Sequence, residues 1–269
     1  RQTDESHGLI THPEDPTTIL PDLDFADDIV LLDETEVVSA DHYENLKNNA
    51  SCVGLQIKKD KTKIMHINYH RVGPPPKALE GLEIVEHSKY LGARISSSLS
   101  DFRQRRGTAW SNFWKLQTIW RSAYISLQLK LRLFDSLILS ILLYGTESWT
   151  LITIIKNQLN SFATSCYRIM LNIKRTDRVR NERVLEICSR RNLADVVATQ
   201  QLRTLGHWLR KQGSTISKYA LFNTNKGKNR RGRPRHTYVK LIQQTTGLTL
   251  DEMKERAMDR IEWRRVVGR

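Results

Sequence analysis

Two adjacent aspartates between short apolar segments are the feature that most constrains how this chain folds. Residues 22–33 read D-L-D-F-A-D-D-I-V-L-L-D, with Asp27 and Asp28 at the centre. The apolar residues on both sides predict two short strands that meet at a tight turn. The Ile-Val-Leu-Leu run of residues 29–32 predicts a buried strand that anchors this turn in a core. Because Asp is a common turn residue, a surface turn without function is the alternative.

The rest of the first 96 residues alternates between helix-like and strand-like patterns. Residues 36–53 have the apolar spacing of an amphipathic helix, and Gly54 stands where a helix-ending glycine belongs. Residues 55–67 predict a strand, a lysine-rich turn and a second strand, and residues 88–95 predict one more strand. The sequence therefore predicts a small α+β piece.

Beyond residue 96 the apolar spacing becomes helical. Trp110, Trp114 and Trp120 recur at helical intervals, and residues 131–142 form a second apolar stripe. Further helices are predicted over residues 151–172, 181–190 and 193–211. A last helix is predicted near Thr249, because Thr249-Leu250-Asp251-Glu252 fits a capping box.

Tryptophans and histidines are candidates for binding roles, but their patterns favour structural ones. Trp110, Trp114 and Trp120 are expected in the core, with base stacking as the alternative. Packing roles are also predicted for Trp149, Trp208 and Trp263. His66 and His70 are four residues apart but fall in a strand-like segment, which argues against a zinc site. His207 is predicted to be a core histidine.

The charge is divided unevenly along the chain. Residues 1–50 hold 13 acidic and 2 basic side chains, a net charge of −11, whereas the whole chain carries +14, so that the remaining residues carry +25. This excess predicts a polyanionic partner, either a nucleic acid or a membrane surface. No apolar run reaches the roughly 18 residues that span a bilayer, so nucleic acid is favoured and a membrane is not expected. Three separated cysteines without a C-x-x-C pair predict a reduced, intracellular protein.

A glycine-containing basic segment is the second candidate site. Its members are Lys226, Lys228, Arg230, Arg231, Arg233, Arg235 and Lys240. The pattern Arg-Gly-Arg-Pro resembles the core of an AT-hook, in which arginines enter the minor groove. We expect this segment to bind phosphates of a nucleic acid, with a nuclear-import signal or a solvated linker as alternatives. Nearby arginines, including Arg103, Arg105, Arg106, Arg190, Arg191, Arg203 and Arg210, together with Lys211, extend the expected basic surface.

Several of these segments, in this order, resemble the reverse transcriptases of non-LTR (LINE-type) retrotransposons. Phe25-Ala26-Asp27-Asp28 is similar to the Tyr/Phe-Ala-Asp-Asp box of the polymerase palm. Residues 54–65 resemble the helix-strand motif that follows that box, and Tyr90-Leu91-Gly92 resembles the primer-grip hairpin. Residues 137–149 resemble the helical thumb. Residues 181–184, 202–209 and 231–235 resemble parts of the C-terminal extension, so the likeness covers about residues 22–269.

The resemblance implies a fold, an activity and roles for particular residues. It implies an α+β fold, in which a partial palm of short antiparallel strands and a helix precedes a mostly α-helical thumb and C-terminal region. Asp27 and Asp28 would be catalytic ligands of Mg²⁺, and Lys61 or Lys63 would lie near the nucleotide phosphates. Tyr90, Leu91 and Gly92 would position the primer end. An RNA template, a DNA primer at the chromosomal target and dNTPs are the implied partners, in the nucleus.

The chain also departs from the family's pattern. The motifs that supply a further metal-binding aspartate and the residues beside the nucleotide sugar precede the Phe-Ala-Asp-Asp box in that family. The roughly 24 residues that precede the box here do not resemble them, and two metal ions need more than one hairpin. Because the chain begins at Arg1, we expect a fragment of a longer polymerase that is inactive alone. The alternative is a non-catalytic nucleic-acid-binding module or a gene relic descended from a polymerase.

These patterns give a predicted division of the chain. An irregular N-terminal segment and a partial palm come first, followed by a helical thumb, a helical extension, a basic linker and a C-terminal helix. The predicted ranges are 1–20 for the irregular segment, 21–98 for the palm and 99–175 for the thumb. They are 176–211 for the helical extension, 212–246 for the basic linker and 247–269 for the C-terminal helix.

Overall fold

Two compact units make up the fold. The computed structural model describes residues 9–12, 15–67, 76–95, 97–211 and 237–268, with side chains from residue 20 onwards. The division between the units falls at residues 96 and 97. The first unit carries short strands and a helix, and the second is helical, which is an α+β arrangement.

Short strands pair two by two in the first unit. The antiparallel pairs are β1 (Leu9–His12) with β2 (Asp15–Leu20), β3 (Asp22–Phe25) with β4 (Asp28–Leu31), and β7 (Ser88–Tyr90) with β8 (Ala93–Ile95). The remaining pair, β5 (Lys63–Met65) with β6 (Glu83–Val85), is parallel. Within the described residues these pairs do not join into a larger sheet.

Helix α1 (Glu36–Cys52) supplies the small core of this unit. The Thr35 side chain accepts a hydrogen bond from the Val38 N–H at 3.4 Å and so caps the first turn. Gly54 has a φ of 77°, a left-handed conformation that suits a glycine after the helix end. The buried side chains of this core are Ala40, Tyr43, Leu79 and Leu82.

Four sequence predictions for the first unit are wrong in detail. Residues 9–12 and 15–20 belong to a segment predicted to be irregular but form the β1–β2 pair, and β5 and β6 are parallel although antiparallel strands were predicted. Residues 55–58 form no strand, and a short 3-10 turn over Lys59–Lys61 leads into β5. Residues 88–95 form a hairpin and not one strand, because Leu91 and Gly92 have φ values of 47° and 79°. Positive φ at both loop residues reverses the chain in two residues, as in a type I′ hairpin turn.

Helices fill the second unit. They are α2 (Ser98–Lys115), α3 (Gln117–Arg121), α4 (Leu127–Phe134), α5 (Ser140–Leu142), α6 (Thr153–Met170), α7 (Asn181–Ile187), α8 (Leu193–Arg210), α9 (Tyr238–Thr246), α10 (Leu250–Met258) and α11 (Arg260–Val267). A π-helical segment (Asp135–Leu139) joins α4 to α5, so the helical run is continuous from Leu127 to Leu142.

Aromatic side chains form the centre of the second unit. The rings of Phe113 and Trp120 stack with centroids 5.1 Å apart, and Phe134 meets Phe113 edge-on. The buried indole of Trp120 donates a hydrogen bond to the Phe113 carbonyl at 2.7 Å, which satisfies its polar edge inside the core. Of the predicted core tryptophans, Trp120, Trp149 and Trp263 are buried, whereas the Trp114 side chain is 43% exposed.

The C-terminal part differs from the predicted linker and single helix. Residues 238–246, assigned to the basic linker, form α9, which the Thr237 side chain caps. The capping box at Thr249 and Glu252 is confirmed, because each of these residues accepts a hydrogen bond from the other's backbone N–H. A second helix follows, since the chain is extended at Asp259, whose carboxylate caps α11.

Candidate catalytic hairpin and nucleic-acid interface

The predicted hairpin around Asp27 and Asp28 is confirmed. Strands β3 and β4 pair so that Phe25 lies opposite Asp28, which leaves Ala26 and Asp27 as a two-residue loop. Ala26 takes a φ of 55° to close the turn, a conformation that costs a non-glycine residue about 1–2 kcal/mol. Both carboxylates are exposed at the tip of the hairpin.

The predicted burial of residues 29–32 is wrong for Ile29, which is exposed, whereas Val30, Leu31 and Leu32 are half-buried. Phe25 is 62% exposed and Ile29 is 40% exposed, and Leu23 is similarly open. Only the far end of the hairpin reaches the small core, where Leu31 packs against it. The reason is the sheet itself, since two strands without a further layer leave their faces in solvent.

The primer-grip segment lies against the aspartate hairpin. Tyr90 and Ala93 are the last pair before the Leu91-Gly92 turn. The Tyr90 hydroxyl donates a hydrogen bond to the Leu23 carbonyl oxygen, at 3.2 Å, across 67 residues of sequence. The strand that carries Tyr90 is thereby tied to the strand that leads into Asp27. The sequence contained Tyr90 as a candidate but gave no sign of this bond.

The two candidate lysines, Lys61 and Lys63, form no bond with the aspartate hairpin among the described residues. Lys61 ends the exposed 3-10 turn before β5, and no hydrogen bond or ion pair within the described residues joins it to Asp27 or Asp28. The alternative lysine, Lys63, forms an ion pair with Glu83 at 2.8 Å between β5 and β6. The structure therefore bonds Tyr90 to the aspartate hairpin, whereas neither lysine bonds to Asp27 or Asp28 within the described residues.

Asp27 and Asp28 fit a Mg²⁺ site only in part. Carboxylate oxygens at an exposed tip are suitable ligands for this ion. In the part of the chain that the structure describes, no three His, Cys, Asp or Glu side chains are grouped to hold a metal. His66 meets Glu36 at 2.7 Å as a pair, and His70 lies outside the described residues. A metal at the hairpin therefore needs a further ligand from elsewhere.

Most of the predicted basic site lies outside the described residues. This holds for Lys226, Lys228, Arg230, Arg231, Arg233 and Arg235. Lys240 is described, and its side chain is exposed on the first turn of α9. Residues 97–269 together contain 33 lysines and arginines against 12 aspartates and glutamates, a net charge of +21. The helical unit therefore carries a charge that suits a polyanion.

Two arginines of α2 that the sequence assigned to the basic surface are held by neighbouring side chains. Arg105 Nε donates to Asp101 Oδ2 at 2.9 Å, and its guanidinium lies 5.1 Å from the Tyr144 ring centroid. Arg106 donates to Gln158 at 2.8 Å. The Asp101–Arg105 pair lies within α2, and its i, i+4 spacing could have indicated it. The contact of Arg106 with Gln158 joins α2 to α6, and nothing in the sequence indicated it.

Two further arginines of the expected basic surface are also held by partners within the helical unit. Arg190 donates to Asp135 Oδ2 at 2.6 Å, at the start of the π-helical segment. Arg210 donates to the Ala257 carbonyl at 3.0 Å, and burial lowers its pKa. His207 was predicted in the core but is exposed on α8. Exposed cations of the expected basic surface remain at Arg103, Arg191, Arg203 and Lys211.

A comparison with known proteins gives one relative. The chain is similar to a transposon-derived, uncharacterized protein of Caenorhabditis elegans, with 27% identity over 207 residues that cover 72% of this chain and 73% of the relative. No protein-family model matches the chain. No solved structure matches it. The similarity indicates a transposon-related origin.

Among the residues that the structure describes, none of the helices is both long and apolar enough to cross a bilayer.

Proposed function

We propose that this chain is the rear part of an RNA-directed DNA polymerase of a non-LTR retrotransposon, inactive as a polymerase by itself. The observation that carries the proposal is the Tyr90–Leu23 hydrogen bond of 3.2 Å. It joins a hairpin that resembles a primer grip to one that resembles the catalytic aspartate turn. A palm domain needs these two elements side by side, because the primer end must meet the catalytic carboxylates. The transposon-derived relative agrees with this origin.

Each element would have a defined task in the complete enzyme. Asp27 and Asp28 would offer oxygen ligands at the hairpin tip, and a further carboxylate would come from outside the described residues. Mg²⁺ held there would stabilise charge on the attacking and leaving oxygens of nucleotidyl transfer. The Tyr90-Leu91-Gly92 turn would hold the primer end through its backbone. The helical unit, at +21, would hold the template–primer duplex in the nucleus.

A tethered cleavage experiment tests this assignment without polymerisation. An iron chelate attached to a Cys at position 91, in the variant Leu91→Cys with Cys52→Ser, generates hydroxyl radicals beside the turn. The probe is a DNA primer annealed to an RNA template. We expect cleavage of the template strand centred on the primer 3′ end, because the turn would lie there.

The natural exposed thiol of Cys52 provides the matched control. It lies at the end of α1, so the chelate attached there should cleave elsewhere or diffusely. Cleavage from position 91 that is spread evenly along a bound duplex would contradict the proposal. Primer extension by the unmodified chain with Mg²⁺ and dNTPs, lost in Asp27→Ala, would contradict the proposal that the chain alone has no polymerase activity.

A non-catalytic nucleic-acid-binding module, or a gene relic descended from a polymerase, is the second candidate. It is favoured by the exposed carboxylate pair, which no third metal-binding side chain joins within the described residues. In such a module Asp27 has no role in binding. Duplex affinity should then be the same for Asp27→Asn and the unmodified chain, with or without Mg²⁺, and the cleavage from position 91 should not centre on the primer end.

A further inference from the structure

The loop between α6 and α7 carries a dense group of cations that the sequence analysis did not single out. This basic loop, residues 171–180, contains Lys174, Arg175, Arg178 and Arg180. All four side chains are exposed. The loop contains one acidic residue, Asp177. A count of charges in a ten-residue window would have revealed it.

The acidic residue of the basic loop does not neutralise these cations. Asp177 Oδ2 accepts a hydrogen bond from the Lys174 backbone N–H at 2.7 Å, so its charge serves the local turn. Among the described residues, none of the four cations forms an ion pair within 4.0 Å. This distinguishes them from Arg105 and Arg190, each of which has a carboxylate partner.

The backbone of the basic loop is held from both sides. Arg168 donates to the Val179 carbonyl oxygen at 2.7 Å and to Asn181 Oδ1 at 2.9 Å. Ile173 and Val179 pack against the core of the helical unit. The cations therefore extend from a backbone that hydrogen bonds and packing hold in place.

The backbone conformation of Arg178 is a second indication that the loop is held in place. Its φ is 50°, a left-handed conformation that arginine adopts rarely. Such conformations persist only where surrounding contacts enforce them, and they occur often at ligand-binding sites. Here the Asp177 turn and the Arg168 bonds provide those contacts.

Four like charges in a fixed loop repel one another, and a bound polyanion would relieve that repulsion. Guanidinium groups bind phosphate oxygens with two parallel hydrogen bonds, and three of the four cations are arginines. A backbone that is already ordered loses little entropy on binding.

We propose that the basic loop is a preorganised binding site for the phosphates of a nucleic-acid duplex, which it contacts without reading the bases. The proposal rests on the nucleic-acid binding of the proposed function, and it assigns part of that binding to the basic loop. The loop offers no aromatic side chain for base stacking. Its cations therefore act on the sugar–phosphate backbone.

The test compares salt dependence in two charge-matched variants of the full chain. In the loop variant, Arg175, Arg178 and Arg180 are replaced by Gln. In the control, the exposed residues Arg121, Arg132 and Arg264 are replaced by Gln. Binding to a short fluorescein-labelled DNA duplex is measured by anisotropy over a range of salt concentrations. We expect the slope of log affinity against log salt to fall by about 2.7 in the loop variant, about 0.9 for each of three phosphates lost.

The control variant should lose less than about one contact's slope, about 0.9. Equal losses in both variants, or an unchanged slope in the loop variant, would overturn the loop as a binding site while leaving nucleic-acid binding intact. An unmodified chain that does not bind the duplex would instead contradict the proposed function. Circular dichroism spectra of both variants verify that they fold.

The variant Asp177→Ala distinguishes the effect of loop geometry on duplex affinity from the effect of loop charge. This change removes a negative charge, so general electrostatics predicts tighter binding. It also removes the acceptor of the Lys174 N–H, so a preorganised site should bind the duplex several-fold more weakly. Tighter binding by Asp177→Ala would overturn the proposal that the loop geometry matters.

Discussion

The indole of Trp263 lies against the backbone of Gly206, where a side chain on that residue would overlap the ring. Trp263 Nε1 also donates to the Leu202 carbonyl at 2.9 Å, one turn earlier on α8. The last helix, α11, is thereby fixed to α8. The glycine in the middle of α8 therefore has a packing reason, since a helix interior otherwise disfavours glycine.

We expect Gly206→Ala to lower stability. The added methyl group would force the buried indole to move, and such overpacking costs about 1–3 kcal/mol, more than the helix propensity that alanine adds. Thermal unfolding should show a Tm lower by about 2–12 °C, at about 2–4 °C per kcal/mol for a unit of this size.

Gly107→Ala on α2 is the control, because nothing lies within 4 Å of the added carbon there. It should raise stability by about 0.5–1 kcal/mol. Equal effects of the two changes would show that Trp263 does not occupy the surface of Gly206.

Asp101 should be a sensitive position in the helical unit. Its Oδ2 accepts hydrogen bonds from Arg105 Nε and from the Trp149 indole, both at 2.9 Å, and the residue is only 5% exposed. Asp101→Ala leaves a guanidinium and an indole N–H without this acceptor, so we expect a loss of about 3–5 kcal/mol in urea unfolding. Asp101→Asn keeps an acceptor oxygen and should lose less. An alanine variant as stable as the asparagine variant would argue against this network.

The capping box predicts a pH dependence of stability. The pKa of Glu252 is lowered, chiefly by the hydrogen bond from the Thr249 backbone N–H. A carboxyl group with a lowered pKa in the folded state stabilises the protein above its unfolded pKa of about 4.3 and loses that contribution as the pH falls through the folded value. The Tm difference between the unmodified chain and Glu252→Gln should therefore shrink below about pH 4. A constant difference at all pH values would contradict the assignment.

The three cysteines should react very differently. Cys52 is exposed, whereas Cys166 and Cys188 are buried. Burial raises the pKa of both buried thiols, so that little thiolate is present at neutral pH. A colorimetric thiol reagent should modify one equivalent rapidly in the native state and all three in denaturant. Cys52→Ser should abolish the rapid phase, and a rapid phase that survives this change would show that the core is open.

Local features were predictable where neighbouring residues decide them. The hairpin at Asp27, the helix after it and the capping box at Thr249 depend on turn residues, apolar spacing and caps within a few positions. Helix α9 was missed because a basic, glycine-rich segment precedes it and masks its short apolar pattern. The strand-like pattern of residues 88–95 did not indicate the turn, because leucine rarely takes the left-handed conformation of Leu91. The hairpin was implied only by the resemblance of Tyr90-Leu91-Gly92 to a primer grip.

The amino-acid sequence was enough to predict the hairpin of paired aspartates, most helices of the second unit and the concentration of positive charge after residue 50. Only the tertiary structure decided which cations have distant partners, since Arg190 meets Asp135 across 55 residues of sequence, whereas within the described residues Arg175 and Arg178 form no ion pair. It also decided that Phe25 is exposed and that Tyr90 reaches Leu23. The physical reason is that periodicity follows from contacts between near neighbours, whereas partners and burial depend on which distant segments the fold brings within a few ångströms.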